Sequence, residues 1–291
     1  MWLILGGNGQ LGQSLQFVLS QQRIPFKVAG RDALDISNQS ACIDFIKEQQ
    51  PQVVVNCAAW TAVDLAEDNE AQAFLINSDG ARNVAIACRE ARTVLVHVST
   101  DYVFSGIATS PYEVDHPTEP VSVYGKSKLG GEEAVTAEYA EGSYIVRTAW
   151  LYSQFGSNFV KTMIRKGQSA SPVRVVADQL GQPTLATDLA QHIVDLVTHS
   201  APFGTFHGTN FGQTSWYELT REIYSLLGVD TSLVTPVPTT EYPTKAVRPQ
   251  YSVLSHSHTA ALNMPYIQDW KLALKNSLPI IVQSISEESK Q

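Results

Sequence analysis

Tyr124 and Lys128 stand four residues apart in the run Val123-Tyr124-Gly125-Lys126-Ser127-Lys128. On a helix that spacing puts both side chains on one face, one turn apart. A phenol near its ordinary pKa of about 10 does little acid–base work at neutral pH. A neighbouring ammonium favours the phenolate and brings the phenol closer to useful range. Earlier in the chain, Ser99-Thr100-Asp101-Tyr102 supplies hydroxyls that can polarise a carbonyl. Together these residues suit reduction of a carbonyl, in which the tyrosine protonates the oxygen, the lysine tunes the tyrosine and a hydroxyl holds the oxygen. Tyr and Lys are common, so the pair gains its weight from the elements that position it.

The first twelve residues provide that context. Trp2 to Leu5 is an apolar run of strand length, and Gly6, Gly7, Gly9 and Gly12 follow at once. Leu11, Leu15, Val18 and Leu19 then fall on one face of a helix. Strand, glycine turn and helix in that order make a dinucleotide-binding turn, with pyrophosphate at the helix N-terminus. Two registers fit, GxGxxG from Gly7 and GxxGxxG from Gly6. Phe26 to Ala29 is a second strand, ending in Gly30-Arg31-Asp32. At that point such folds read the adenosine ribose, with an acid for a free 2′-hydroxyl and an arginine for a 2′-phosphate. Arg31 tilts the reading toward NADPH, and Asp32 keeps NADH open.

Val53 to Asn56 and Val94 to Val98 read as further apolar strands, the pattern of a parallel sheet covered on both faces. A long helical stretch is expected from Glu70 to Ala91, with Ser37 or Asn38 capping an earlier helix. The alternation predicts an α/β fold, a Rossmann-like doubly wound parallel sheet, over residues 1–155, a dinucleotide-binding domain that also recruits part of 174–200. Residues 156–291 read as a smaller mixed C-terminal lobe for the substrate.

The composition is that of an ordinary globular chain: 291 residues, 44% hydrophobic, 16% charged. A net charge of -8 argues against nucleic acid as a partner. No stretch approaches a membrane span, and the N-terminus lacks the basic region of a signal peptide. Cys42, Cys57 and Cys88 are scattered among apolar residues, which fits a reducing cytoplasm.

The motifs GGNGQLG, VVVNCAAWTAVDLAE, STDYVFSG, VYGKSKLGGE, RTAWLY, DQLGQPT and YPTKAVRPQYSVL run in order between residue 3 and about residue 254. In these the chain resembles the extended short-chain dehydrogenases/reductases, and within them the dTDP-4-dehydrorhamnose reductase family. The resemblance implies hydride transfer from NADPH, or NADH, to C4 of a dTDP-4-keto-sugar, dTDP-4-dehydro-L-rhamnose. It implies Thr100, Tyr124 and Lys128 as catalytic residues. The cofactor would lie along Gly6, Gly9, Gln10, Leu11, Gly12, Arg31, Asp35, Ile36, Ala58, Ala59, Thr61, Tyr124 and Lys128. Thr100, Asp101, Trp150 and Arg248 would touch the nucleotide-sugar. Related dehydratases carry Glu after the Thr-Asp pair; Tyr102 stands there in this chain, which speaks against dehydration. Some family members hold magnesium through glutamates at a dimer interface. Ser14 and Thr187 occupy those positions, so no metal is expected, and the assembly is expected to be a monomer or homodimer. Two alternatives remain at this point: reduction of another dTDP-4-keto-deoxysugar, or a non-catalytic NADP-binding regulatory subunit.

Overall fold

The computed structural model describes residues 1–288. Five strands, β1 (Trp2–Leu5), β2 (Phe26–Ala29), β3 (Val53–Asn56), β4 (Val94–Thr100) and β5 (Ser143–Thr148), are joined by a sixth at Gly204–His207. All pairings are parallel, and the order across the sheet is sixth strand, β5, β4, β3, β1, β2. The central strands β1 and β3 are largely apolar and wholly buried because both faces are covered, while Lys27 and Val28 on edge strand β2 are exposed. Trp2 and Ile4 pack into one core and Leu3 and Leu5 into the other.

Helix α1 (Gln10–Gln21) lays Leu11, Leu15, Val18 and Leu19 on the first face. Opposite them are Leu189, Ala190, Ile193 and Val194 of the helix Ala186–Thr198. Residues 186–207 thus return to the sheet, after the chain has first left it. The second face is covered by α2 (Gln39–Gln49), whose N-cap Asn38 accepts from the Ala41 amide at 3.1 Å.

The stretch from Glu70 to Ala91 is helical but not one regular helix. After a short α3 (Val63–Ala66), α4 (Glu70–Phe74) widens into a π-helical turn, Leu75–Asp79, before α5 (Gly80–Ala91). Single π turns inside α-helices often mark functional places. Hydrophobic periodicity does not report such a turn, because one extra residue merely rotates the stripe. Helix α6 (Val123–Tyr139) follows on the same face, capped by Ser122 Oγ, which accepts from the Gly125 amide.

The rest of the second half forms a lobe around Tyr152, Ile164, Ile223, Tyr224, Leu274 and Ile281. Its helices are Phe159–Gln168, Trp216–Leu226 and Trp270–Glu288. No helix among the described residues is long and apolar enough to cross a membrane.

His192 and His207 are buried near His256 around a small internal cavity. Burial holds His192 down to about 4 and His207 down to about 3. In the unfolded chain both return to about 6.5. Between those values the unfolded state binds more protons, so stability is complete above about pH 6.5 and falls toward pH 4. We expect the urea midpoint to drop between pH 7 and pH 5, with a shallower drop in His192→Leu. An equal slope in both proteins would remove His192 from this account.

Candidate active site

The site is assembled at the carboxyl edge of the sheet, where every βα connection ends. The first connection is the glycine turn. Gly6 has φ +70°, and a Cβ there would lie 2.6 Å from the Ala58 amide nitrogen. A Cβ on Gly12 would lie 2.5 Å from Gly7 Cα, so α1 presses directly on the turn. Around Gly9 the nearest atom is the Gly6 carbonyl at 3.4 Å. The Gly6-Gly9-Gly12 register therefore carries turn, open face and close packing. The first N–H groups of α1 have no partners within the helix and are suited to phosphate. Gln10 accepts through Oε1 from Ser153 Oγ at 3.0 Å and Asn158 Nδ2 at 2.9 Å, tying this turn to the second lobe.

At the end of β2, Arg31 is 77% exposed and only 3.9 Å from Asp35. Asp35 is the better anchored of the two. It accepts from the Ser37 amide and hydroxyl at 3.0 and 2.7 Å, which hold its carboxyl below the usual range. Beyond β3, the loop through Ala58, Ala59 and Thr61 is fixed by Asn77 of the π turn. Asn77 accepts from the Trp60 amide at 2.8 Å and donates to the Trp60 carbonyl at 3.0 Å and Ser127 Oγ at 2.9 Å. Ser127 in turn donates to the Tyr124 carbonyl. One amide side chain thus joins the β3 loop to the helix that bears Tyr124.

β4 delivers Thr100, whose Oγ1 donates to Asp101 at 2.9 Å and accepts from the Tyr102 amide at 3.3 Å. Burial pushes Asp101 up to about 6, against hydrogen bonds from Ser252 and Thr100. Tyr124 is hydrogen-bonded to Thr100, and its ring meets that of Tyr102 edge-on at 5.5 Å. Lys128 donates to the Val98 carbonyl at 2.6 Å.

The expectation that Lys128 draws the Tyr124 phenol toward neutral pH is corrected here. Burial pushes Tyr124 up to about 12, opposed by the Thr100 hydrogen bond and reinforced by Asp101. The same burial brings Lys128 down to about 8, with Glu132 opposing. Desolvation leads both shifts, neither residue is among the causes of the other's, and Tyr124 is a neutral phenol. Cys57, beside Lys128, is pushed up to about 12 by burial and is no nucleophile.

Trp150 follows β5 in the left-handed region, φ +43°. Its ring lies flat on Trp216 of the second lobe, centroids 3.5 Å apart and planes at 9°. A left-handed backbone on a bulky residue is held only where surroundings demand it.

Every residue expected at the cofactor, from Gly6 to Lys128, borders one cleft of about 840 Å³, as do Thr100, Asp101 and Trp150. Arg248 lies off its border. Its guanidinium pairs with Asp64 at 2.6 Å, and Nη1 is buried without a hydrogen-bond partner. Asn77, Trp216 and the Gln10 contacts were not legible in sequence. Their partners lie many residues away, and no local pattern marks them.

A doubly wound sheet whose glycine turn and Tyr–Lys helix open onto one cleft is the build of a short-chain dehydrogenase/reductase. Residues 1–282 match the family model described as the RmlD substrate binding domain, and the chain belongs to that family. It is 44% identical over 284 residues to a dTDP-4-dehydrorhamnose reductase of Streptomyces griseus, covering 96% of this chain and 93% of that one. It is 41% identical to a dTDP-4-keto-6-deoxy-D-glucose reductase of Streptomyces niveus, covering 96% and 97%. Among solved structures, the Bacillus anthracis dTDP-4-dehydrorhamnose reductase in complex with NADP is 39% identical, with TM-score 0.91, covering 95% and 98%.

Gly6→Ala tests the turn. The left-handed backbone alone costs a non-glycine residue about 1–2 kcal/mol, and the Ala58 contact adds to it. We expect a lower melting temperature and at least tenfold weaker NADPH binding by fluorescence titration. Unchanged binding would show that the turn does not seat the dinucleotide.

Proposed function

We propose that this chain reduces the C4 keto group of dTDP-4-dehydro-L-rhamnose to dTDP-L-rhamnose, using NADPH. The observation that carries the proposal is Tyr124, a half-buried neutral phenol bonded to Thr100, in the cleft that begins at the glycine turn. The names of relatives at 41–44% identity support the reaction class.

The residues present fit a dinucleotide. Gly9 leaves the helix N-terminus open, and Arg31 is exposed and held only by a long 3.9 Å ion pair to Asp35, which a 2′-phosphate can replace. When bound, NADPH supplies the hydride to C4. Tyr124 keeps its proton at neutral pH and is placed to give it to the sugar O4. Thr100 holds the phenol oxygen, and the Lys128 ammonium steadies the phenolate left behind. Asp101 and Thr100 share a hydrogen bond on the substrate side, and the Trp150–Trp216 stack is a flat wall against which a nucleotide-sugar can lie. To meet a diphosphate, Arg248 would have to leave Asp64 and turn its guanidinium into the cleft. The three unpaired cysteines fit work in the cytoplasm.

The Streptomyces niveus relative acts by name on a different keto-sugar, so dTDP-4-keto-6-deoxy-D-glucose is the second substrate to assay. Purified protein mixed with NADPH and each sugar should oxidise the cofactor and yield dTDP-L-rhamnose from the first. Tyr124→Phe should lose at least about 10²-fold in kcat and keep its affinity for NADPH. Full turnover in that variant would take the proton-donor role from Tyr124.

The alkaline limb of kcat/KM should follow Lys128, falling above about pH 8. A profile flat to pH 10 would show that turnover does not depend on an ammonium at Lys128 that titrates near pH 8. Arg31→Ala should weaken NADPH by about 10- to 100-fold, the range of a lost charge-assisted contact, and leave NADH unchanged. Equal losses for both cofactors would mean that Arg31 does not read the 2′-phosphate.

A further inference from the structure

Glu132 lies one turn beyond Lys128 on α6. Its carboxylate accepts from Ser99 Oγ at 2.5 Å, Arg147 Nε at 2.9 Å and Arg147 Nη2 at 2.7 Å. Both members of the Glu132–Arg147 pair are buried, each 6% exposed. Arg147 Nη1 donates to the Val114 carbonyl, and its guanidinium sits 5.0 Å over the Phe104 ring. Ser99 and Arg147 face each other in the β4–β5 register. Val98, the residue before Ser99, accepts from Lys128. Consecutive residues of β4 therefore hold consecutive turns of α6.

We propose that Glu132 is a positioning residue for the reduction: pinned by Ser99 and Arg147, it fixes α6 against the end of β4 and keeps Lys128 an ammonium inside the cleft. This rests on the reading that Lys128 works in its charged form beside Tyr124. A brace alone does not require this chemistry. Apolar residues of similar volume brace a helix without the desolvation that a buried pair incurs.

The groups around Lys128 leave the task to Glu132. Cys57, from the loop after β3, is pushed up to about 12 by burial and is uncharged. His97 of β4 is held well below its ordinary value by burial and by Lys128 itself, and is neutral. Tyr124, on the same helix, is a neutral phenol. Arg147 of β5 is a cation paired with the carboxylate itself. Of these groups Glu132 is the anion.

The test reads Lys128 directly. Protein labelled with ¹³C at the lysine ε-carbons is titrated by NMR, with Lys128 assigned from the signal missing in Lys128→Arg. Glu132→Gln keeps the shape and the Ser99 bond but removes the charge. Its Lys128 midpoint should fall by about one unit or more. The alkaline limb of kcat/KM should move by the same amount, with activity recovered at lower pH. Glu132→Asp should restore part of the shift.

Glu132→Gln strands the Arg147 charge, so the double variant Glu132→Gln/Arg147→Met removes both charges together and should show a smaller fall in the same direction. A Lys128 midpoint unmoved in both variants, with activity lowered equally at every pH, would make Glu132 a brace and overturn the proposal. Absence of turnover in the wild-type protein would count against the reductase reading, while the titration would still decide whether Glu132 sustains the Lys128 charge.

Discussion

A parallel sheet covered on both faces is the constraint on which this molecule depends. Strands that run the same way must be joined by crossovers, and every crossover leaves from the same edge. The helices then close both faces, and the carboxyl edge is the one place where loops gather around open space. Gly6, Ala58, Thr100 and Trp150 come from four different connections and meet for that reason alone. Chemistry is drawn there by topology before any side chain is chosen.

The second lobe finishes what the sheet edge begins. It touches the edge through apolar packing and through a few specific contacts. Ser153 and Asn158 hold Gln10 at the glycine turn, Trp216 stacks on Trp150, and Asp64 pairs with Arg248. The Gln10 and Asp64 contacts each join a residue of the first half of the chain to one of the second. A cleft closed by a few directional contacts keeps its shape while leaving its middle open.

Patterns that are local in sequence were legible, and patterns that are not were missed. The glycine turn, the apolar strands and the Tyr–Lys spacing each lie within a dozen residues, and their periodicity names the element. The π turn at Leu75–Asp79 leaves no such mark, since its apolar positions still suit a helix. The purpose of Asn77 appears only once Trp60 and Ser127 are beside it. Glu132 and Arg147 read as ordinary charged residues until burial pairs them. The last sheet strand, Gly204–His207, lies beyond the first 155 residues because a sheet edge can accept a strand from anywhere in the chain.

Burial decides the electrostatics of the site in a way that spacing cannot show. The same dry cleft disfavours charge on both members of the Tyr124–Lys128 pair, raising the acid and lowering the base. A four-residue spacing by itself suggests the opposite, a phenol made more acidic by its neighbour. For a reductase the buried arrangement is the more useful one. The proton must be present on Tyr124 when the alkoxide forms, and a phenol with a pKa near 12 holds it throughout the physiological range. The alkoxide is the stronger base, so transfer still runs downhill. Lys128 is then needed chiefly after the proton has left, when its positive charge faces a new phenolate in a medium of low dielectric constant. Its usefulness depends on remaining charged there, and the surrounding burial works against that. A buried anion one helical turn away, with its own charge anchored from β4 and β5, is the kind of group such a lysine requires.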